Sequence, residues 1–151
     1  MKNLYALAIS LIFFVNAFGQ THKSIVDVLV EVHSIESDKQ KEFFTNLGFQ
    51  FTKIDDEGLT TFSKEKSEKS DKYLADDLTE YPIFSYFTHN DEQFSNAIAY
   101  ARKNGWKESK INMEANDGKE YLQRGKYLLI CSKFSEDSKT SYYQLSVVEK
   151  L

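Results

Sequence analysis

Apolar positions in this chain follow two rhythms, one helical and one strand-like, and the helical one is written twice. Ser37 and Gln40 form a capping-box pattern, and Phe43, Phe44 and Leu47 then recur at helical spacing to make one stripe. Gly48 reads as the helix stop, able to take the left-handed conformation, with Phe49 placed to pack back on the last turn. Further on, Asn90 is a natural N-cap with Gln93 after it, and Phe94, Ala97, Ile98 and Ala101 form the second stripe. Gly105 stops that helix, and Trp106 follows it as Phe49 follows Gly48. The second helix is longer by 4 residues, close to one turn, so its buried face keeps its direction.

Each helix leads into sequence of strand rhythm. Residues 49–52 alternate, Asp56, Glu57 and Gly58 turn the chain, and residues 59–62 return. After Trp106 a strand is expected over 106–113, followed by a tight turn at Asn116, Asp117 and Gly118. Arg124 and Gly125 suggest a second hairpin with arms 121–123 and 126–134, and a polar loop over 135–140 leads to a last strand, 142–149. Pro82, the single proline, suits the start or edge of a strand over 83–88, where a missing donor does least harm. Residues 73–78 have room for a short turn of helix or strand.

Residues 25–35 fit both rhythms. Val26, Val28, Val30 and Val32 alternate like a strand, whereas Ile25, Val28, Leu29, Val32 and Ile35 share one helical face. Leu29 on the polar side of the strand reading tips the balance to a helix, paired in a hairpin with the one after Ser37. Residues 63–71 hold Ser, Lys, Glu and Asp with no apolar side chain, the pattern of an exposed flexible loop.

The first 19 residues change the picture of where the protein works. Lys2 supplies a positive n-region, residues 4–15 an apolar h-region, and Ala17 and Gly19 the small residues a signal peptidase requires. Cleavage is expected between Gly19 and Gln20. The stretch falls short of the roughly 20 apolar residues of a spanning helix, and no cysteine stands at the cut to carry a lipid. A periplasmic or secreted protein without a membrane anchor is the expectation, with residues 20–151 as one domain in weak repeats of about 24–88 and 89–151.

Charge and candidate chemistry then narrow the function. Loss of Lys2 leaves 18 basic against 23 acidic residues, a net charge of −5, with no electrostatic footprint for nucleic acid. Cys131 is the only cysteine and sits in a hydrophobic strand, the place of a buried small residue more than of a nucleophile. His22, His33 and His89 show no zinc-ligand spacing and read as surface or structural. The acidic pairs Asp55/Asp56, Asp76/Asp77 and Asp91/Glu92 lie in a turn, a charged linker and a first helical turn, without the ligand pattern of a calcium loop. No nucleophile elbow, phosphate loop or dinucleotide pattern occurs, so neither a catalytic motif nor a cofactor is expected.

One surface stands above this background. Tyr143, Leu145 and Val147 form one row of the last strand, and Tyr142, Gln144, Ser146 and Val148 the opposite row. The strand over 83–88 divides similarly, Phe84 and Tyr86 against Ile83 and Phe87. Helices cover one face of such a sheet, leaving the other as an amphipathic surface suited to protein contact. Phe84, Tyr86, Tyr142 and Gln144 are the candidate partner-binding residues.

With these residues in view, the chain resembles small uncharacterised exported proteins of Gram-negative bacteria. In those, a helix ending in Gly-Phe or Gly-Trp leads into antiparallel strands, and the last strands carry a pattern like Gly125, Lys126 and Tyr127, then Tyr143, Leu145 and Val147. The tandem layout is also similar in architecture to β-lactamase-inhibitor-like proteins, although this chain lacks the disulfides of the characterised inhibitors. The resemblance implies a binding or inhibitory module. The expected fold is α+β, a largely antiparallel sheet with helices on one face, in two related halves. The expected function is protein binding, as an inhibitor or assembly accessory. A hydrolytic enzyme with a dispersed site and a small-ligand carrier are the alternatives.

Overall fold

The computed structural model describes residues 23–54, 59–64, 71–76, 82–109, 118–137 and 140–150. The expected leader with Gly19 and Gln20, His22, the 56–58 turn, Asn116 and Asp117 lie outside them. Three helices are described: α1 (Ile25–Val32), α2 (Ser37–Asn46) and α3 (Asp91–Lys103). The strands are β1 (Gln50–Ile54), β2 (Thr60–Ser63), β3 (Lys72–Asp76), β4 (Ile83–Thr88), β5 (Lys107–Glu108), β6 (Glu120–Arg124), β7 (Tyr127–Asp137) and β8 (Thr140–Glu149). They form one antiparallel sheet in the order β1-β2-β3-β4-β8-β7-β6-β5. The described chain thus runs as two helices followed by four strands, then one helix followed by four strands, joined where β4 pairs with β8. This is the α+β architecture expected.

The ambiguous segment over 25–35 is helical through residue 32. Ser24 caps it by accepting from the Val26 amide at 3.2 Å, and Val26, Val28, Leu29 and Val32 are all buried. Valine is a modest helix former, so burial decides here over propensity. The helix lies against β4, β8 and α3, whereas α2 lies against β1. Both later helices end as expected, in matching Schellman motifs. Gly48 and Gly105 have φ of 85° and 86°. The Gly48 amide donates to the Thr45 carbonyl and the Phe49 amide to that of Phe44, at 2.9 and 3.0 Å. The Gly105 amide likewise donates to Arg102 and the Trp106 amide to Ala101, at 3.3 and 3.1 Å. Phe49 and Trp106 fold back into the core.

Three local expectations are corrected. The N-cap of α2 is Glu36, not Ser37, and Gln40 is buried and donates to the Ile35 carbonyl instead of closing a capping box. The Glu36 carboxylate turns to Lys39. The polar stretch over 135–140 is mostly strand: Ser135 pairs with Ser141 and Asp137 with Thr140, because a long two-stranded ribbon needs no apolar side chains at its tip. The 63–71 run is strand at its first residue and only partly exposed at its last, and residues 65–70 lie outside the described residues. Ser63 closes β2, buried and hydrogen-bonded to the Thr52 hydroxyl at 2.7 Å, and Asp71 is half-buried before β3.

The sheet alternation sends one row of each strand beneath the helices. Phe62, Tyr73, Ala75, Phe84, Tyr86, Leu145, Val147, Leu129, Cys131 and Leu122 form this covered face and belong to one core with the helical stripes. His33, at the end of α1, reaches into it. Its Nε2–H donates to the Val147 carbonyl at 3.0 Å, with the ring edge-on to Phe84 at 4.7 Å and beside Tyr127 at 5.5 Å. Burial holds the imidazole below its ordinary value of 6.5, Lys126 adds to this, and the carbonyl and Glu149 oppose it. As pH falls the unfolded chain therefore takes the proton first. Stability is fully present above about pH 6.5 and is lost as pH drops through the lowered folded value. Urea unfolding of His33→Gln between about pH 5 and 7 should show a flatter dependence than the parent. Equal slopes would remove His33 as their source.

Candidate functional site

Two surfaces of the sheet can receive another molecule, one on each face. The first is the face away from the helices. Tyr142 and Gln144 lie on it as expected, half-buried. Phe84 and Tyr86 do not, and this corrects the sequence assignment: each is 1% exposed, packed beneath the helices. The register explains why, since Phe84 pairs with Val147 and Tyr86 with Leu145, both in the covered row. The β4 residues beside Tyr142 and Gln144 are instead Ile83, Ser85 and Phe87.

The open face is ordered in bands. At one end the Tyr142 ring stacks on Phe134 at 4.7 Å and 14°, flanked by Phe87 at 6.4 Å and His89 at 6.3 Å. In the middle the Ser85 and Ser146 hydroxyls meet at 2.8 Å, and the Gln144 amide donates to them at 3.3 and 2.8 Å. At the other end Ile83, Val148 and Leu128 stand side by side across β4, β8 and β7. Among residues 83–87, 128–134 and 142–148, no side chain on this face is charged. Charges on the described flanking strands begin at Lys72 and Lys107. Polar groups in the middle band satisfy one another, so this surface can lose its water at small cost.

The second surface is a half-open groove of about 970 Å³ on the helix side. It exists because α2 covers β1 while α3 covers β4 and β8, leaving β3 roofed only in part between the two halves. Ile25, Val28, Leu47 and Ala97 give it apolar walls, and Asp71, Tyr73 and Tyr86 line its base. The Thr88 hydroxyl donates to Asp71 at 2.8 Å, and the Tyr86 hydroxyl also bonds to that carboxylate. Burial raises the phenol pKa of both tyrosines, and the Asp71 charge adds to it, so both stay protonated. Tyr73, 4% exposed, lines the groove beside Tyr86, with the two rings 4.9 Å apart.

The remaining sequence candidates are dispersed. His89 is exposed, with its ring beside the Ser141 carbonyl at 3.2 Å, and His33 serves the core. Cys131 is buried, and that burial, aided by Glu120 and opposed by Arg102, pushes its thiol up to about 12, far from nucleophilic at neutral pH. Asp91 and Glu92 stand in the first turn of α3. Asp55, Asp56 and Asp77 lie outside the described residues. Among the described residues no cluster of His, Cys, Asp and Glu can hold a metal ion.

Sequence reasoning missed Phe134 and the Ser85–Ser146 pair on the open face, and Asp71 and Tyr73 in the groove. Alternation from Tyr142 would have pointed to Phe134 once the β7–β8 register was known; no sequence signal marks Asp71. Comparison with family models, with known proteins and with solved structures gives no match.

Proposed function

We propose that this chain is an exported protein-binding module, periplasmic or secreted, which acts as an inhibitor or assembly accessory by holding a partner against the open face of its sheet. The observation that supports this most is the uncharged aromatic, amide and hydroxyl surface across β4, β8 and β7. Interface centres are depleted of charge and enriched in aromatics, which is the composition of this band. Three strands at about 4.8 Å spacing and six residues at about 3.3 Å rise make an uncharged band of roughly 300 Å², the size of a centre within the about 800 Å² each partner contributes to a standard interface. The leader pattern over residues 1–19 and the architectural likeness to β-lactamase-inhibitor-like proteins support the same reading.

The partner this face fits is a folded protein offering a weakly charged, partly apolar patch. Capture from envelope extract with the parent and with a Phe87→Ala/Tyr142→Ala variant tests it. Neither ring belongs to the core, so the variant keeps its fold. Aromatic anchors are worth about 2 kcal/mol or more each, so the captured partner should fall about 100-fold or more. Identical captures from the two proteins, or none above background from either, would refute the sheet-face reading.

A further inference from the structure

The groove on the helix side of the sheet has chemistry of its own, separate from the proposed partner surface. We propose that it binds a neutral, hydroxyl-rich ligand, a short oligosaccharide, with a ring face against Tyr100 and its hydroxyls on the side-chain amides of α2 and α3. Charge favours neither ionic class. Lys23 and Lys64 line the groove together with Asp71 and Glu92, so an ion of either sign meets as much repulsion as attraction. What the groove offers instead is amide. Asn46 at the end of α2, and Asn90 and Asn96 at the cap and middle of α3, line it and are exposed. A carboxamide can donate and accept at once, as a sugar hydroxyl does. Asn90 already accepts from the Gln93 amide at 3.0 Å, so its NH₂ is the group it has left to give. A hydrocarbon ligand would strip water from these amides without replacing the lost bonds.

Tyr100 supplies the flat surface. It lines the groove yet is 36% exposed, whereas Tyr73 and Tyr86 are sealed beneath it. Its hydroxyl donates to the Asp27 carboxylate of α1, which fixes the ring across the gap between the two helices. A ring already held in place loses little freedom when the C–H face of a sugar covers it. Asn96 stands one turn before Tyr100 on α3, the spacing that sets two side chains side by side. Ring and amide can therefore address the face and the edge of the same sugar. At about 970 Å³ the groove is at the upper end of the range for small-molecule sites, with room for a chain of rings more than for one.

Titration of the whole protein with maltotriose, cellotriose and triacetylchitotriose, followed by amide chemical shifts, tests this. At least one should give saturable shifts in α1, the end of α2 and α3, and leave the open face unmoved. Hexanol, hexanoate and hexylammonium at the same concentrations should give none. Tyr100→Ala should weaken the responding sugar about 10-fold or more, and Asn96→Ala about 3- to 10-fold. Both side chains lie outside the core, so the thermal midpoint of either variant should stay near that of the parent. The Phe87→Ala/Tyr142→Ala variant should bind the sugar as the parent does, so the two surfaces fail or succeed separately. No saturable shift from any of the three sugars at concentrations on the order of ten millimolar would overturn the assignment. So would shifts as large with hexanol or either ion, or an affinity unchanged in Tyr100→Ala.

Discussion

Replacing Phe44 by alanine should lower the unfolding free energy by about 3–5 kcal/mol and the midpoint of thermal unfolding by about 10–20 °C. Phe44 is fully buried, and its ring meets Phe62 at 4.5 Å, Tyr73 at 5.0 Å and Phe43 at 5.3 Å. It is also the chief anchor of α2, whose only other buried residue is Gln40. A helix of mostly polar sequence has little reason to form in isolation, so losing this ring removes both a cavity's worth of packing and the docking of the helix. Phe44→Leu retains most of the apolar volume and should cost less than half as much. Urea unfolding of the two variants measures both. A loss below about 1 kcal/mol for Phe44→Ala would mean that α2 is held by something other than this ring.

Gly48→Ala and Gly105→Ala should each cost about 1–2 kcal/mol, and the double variant about the sum. Both glycines hold the left-handed conformation, and nothing lies within 4 Å of the space a Cβ would take at either. The penalty is therefore backbone strain alone, without a steric clash to blur it. The two turns sit at the ends of different helices and share no hydrogen-bond partner, which is the condition for additivity. Asparagine, which tolerates this conformation better, should recover part of each loss. Equilibrium unfolding of the three variants decides it, and a double variant no worse than one single would show that the two helix ends unfold as a coupled unit.

What could be read in advance was the local grammar: the Gly48–Phe49 and Gly105–Trp106 stops, the Asn90 cap and the alternation of β8. In each the signal lies within a few residues and the physics is short-ranged. Asn90 accepts from the Gln93 amide at 3.0 Å as a cap should. What escaped depends on the third dimension. Alternation divides β4 into Phe84 and Tyr86 against Ile83 and Phe87, but both rows are apolar enough to be core. Only the pairing with β8 and the presence of α1 decide which is covered. The segment over 25–35 was ambiguous because α1 is apolar around most of its girth, as a helix packed on strands and another helix must be. Asp71 stood at the end of a charged run and looked like part of a solvated loop. Its hydroxyl partners, Thr88 and Tyr86, come from 17 and 15 positions further along.

The place of β8 in the sheet governs the order in which the molecule can assemble. Residues 140–149 occupy its middle, with β4 on one side and β7 on the other. Until they leave the ribosome, β1 to β4 can form only a sheet with a bare flank, and β5 to β7 another. The row of Leu145 and Val147 that completes the core is missing from both. Both unfinished sheets present unpaired backbone to any neighbouring chain. The single strand that seals them arrives after all the others, and closing β4 against it spans more than fifty residues of intervening chain. Premature termination before residue 140 should therefore leave two sticky fragments of sheet rather than a shorter version of the same fold.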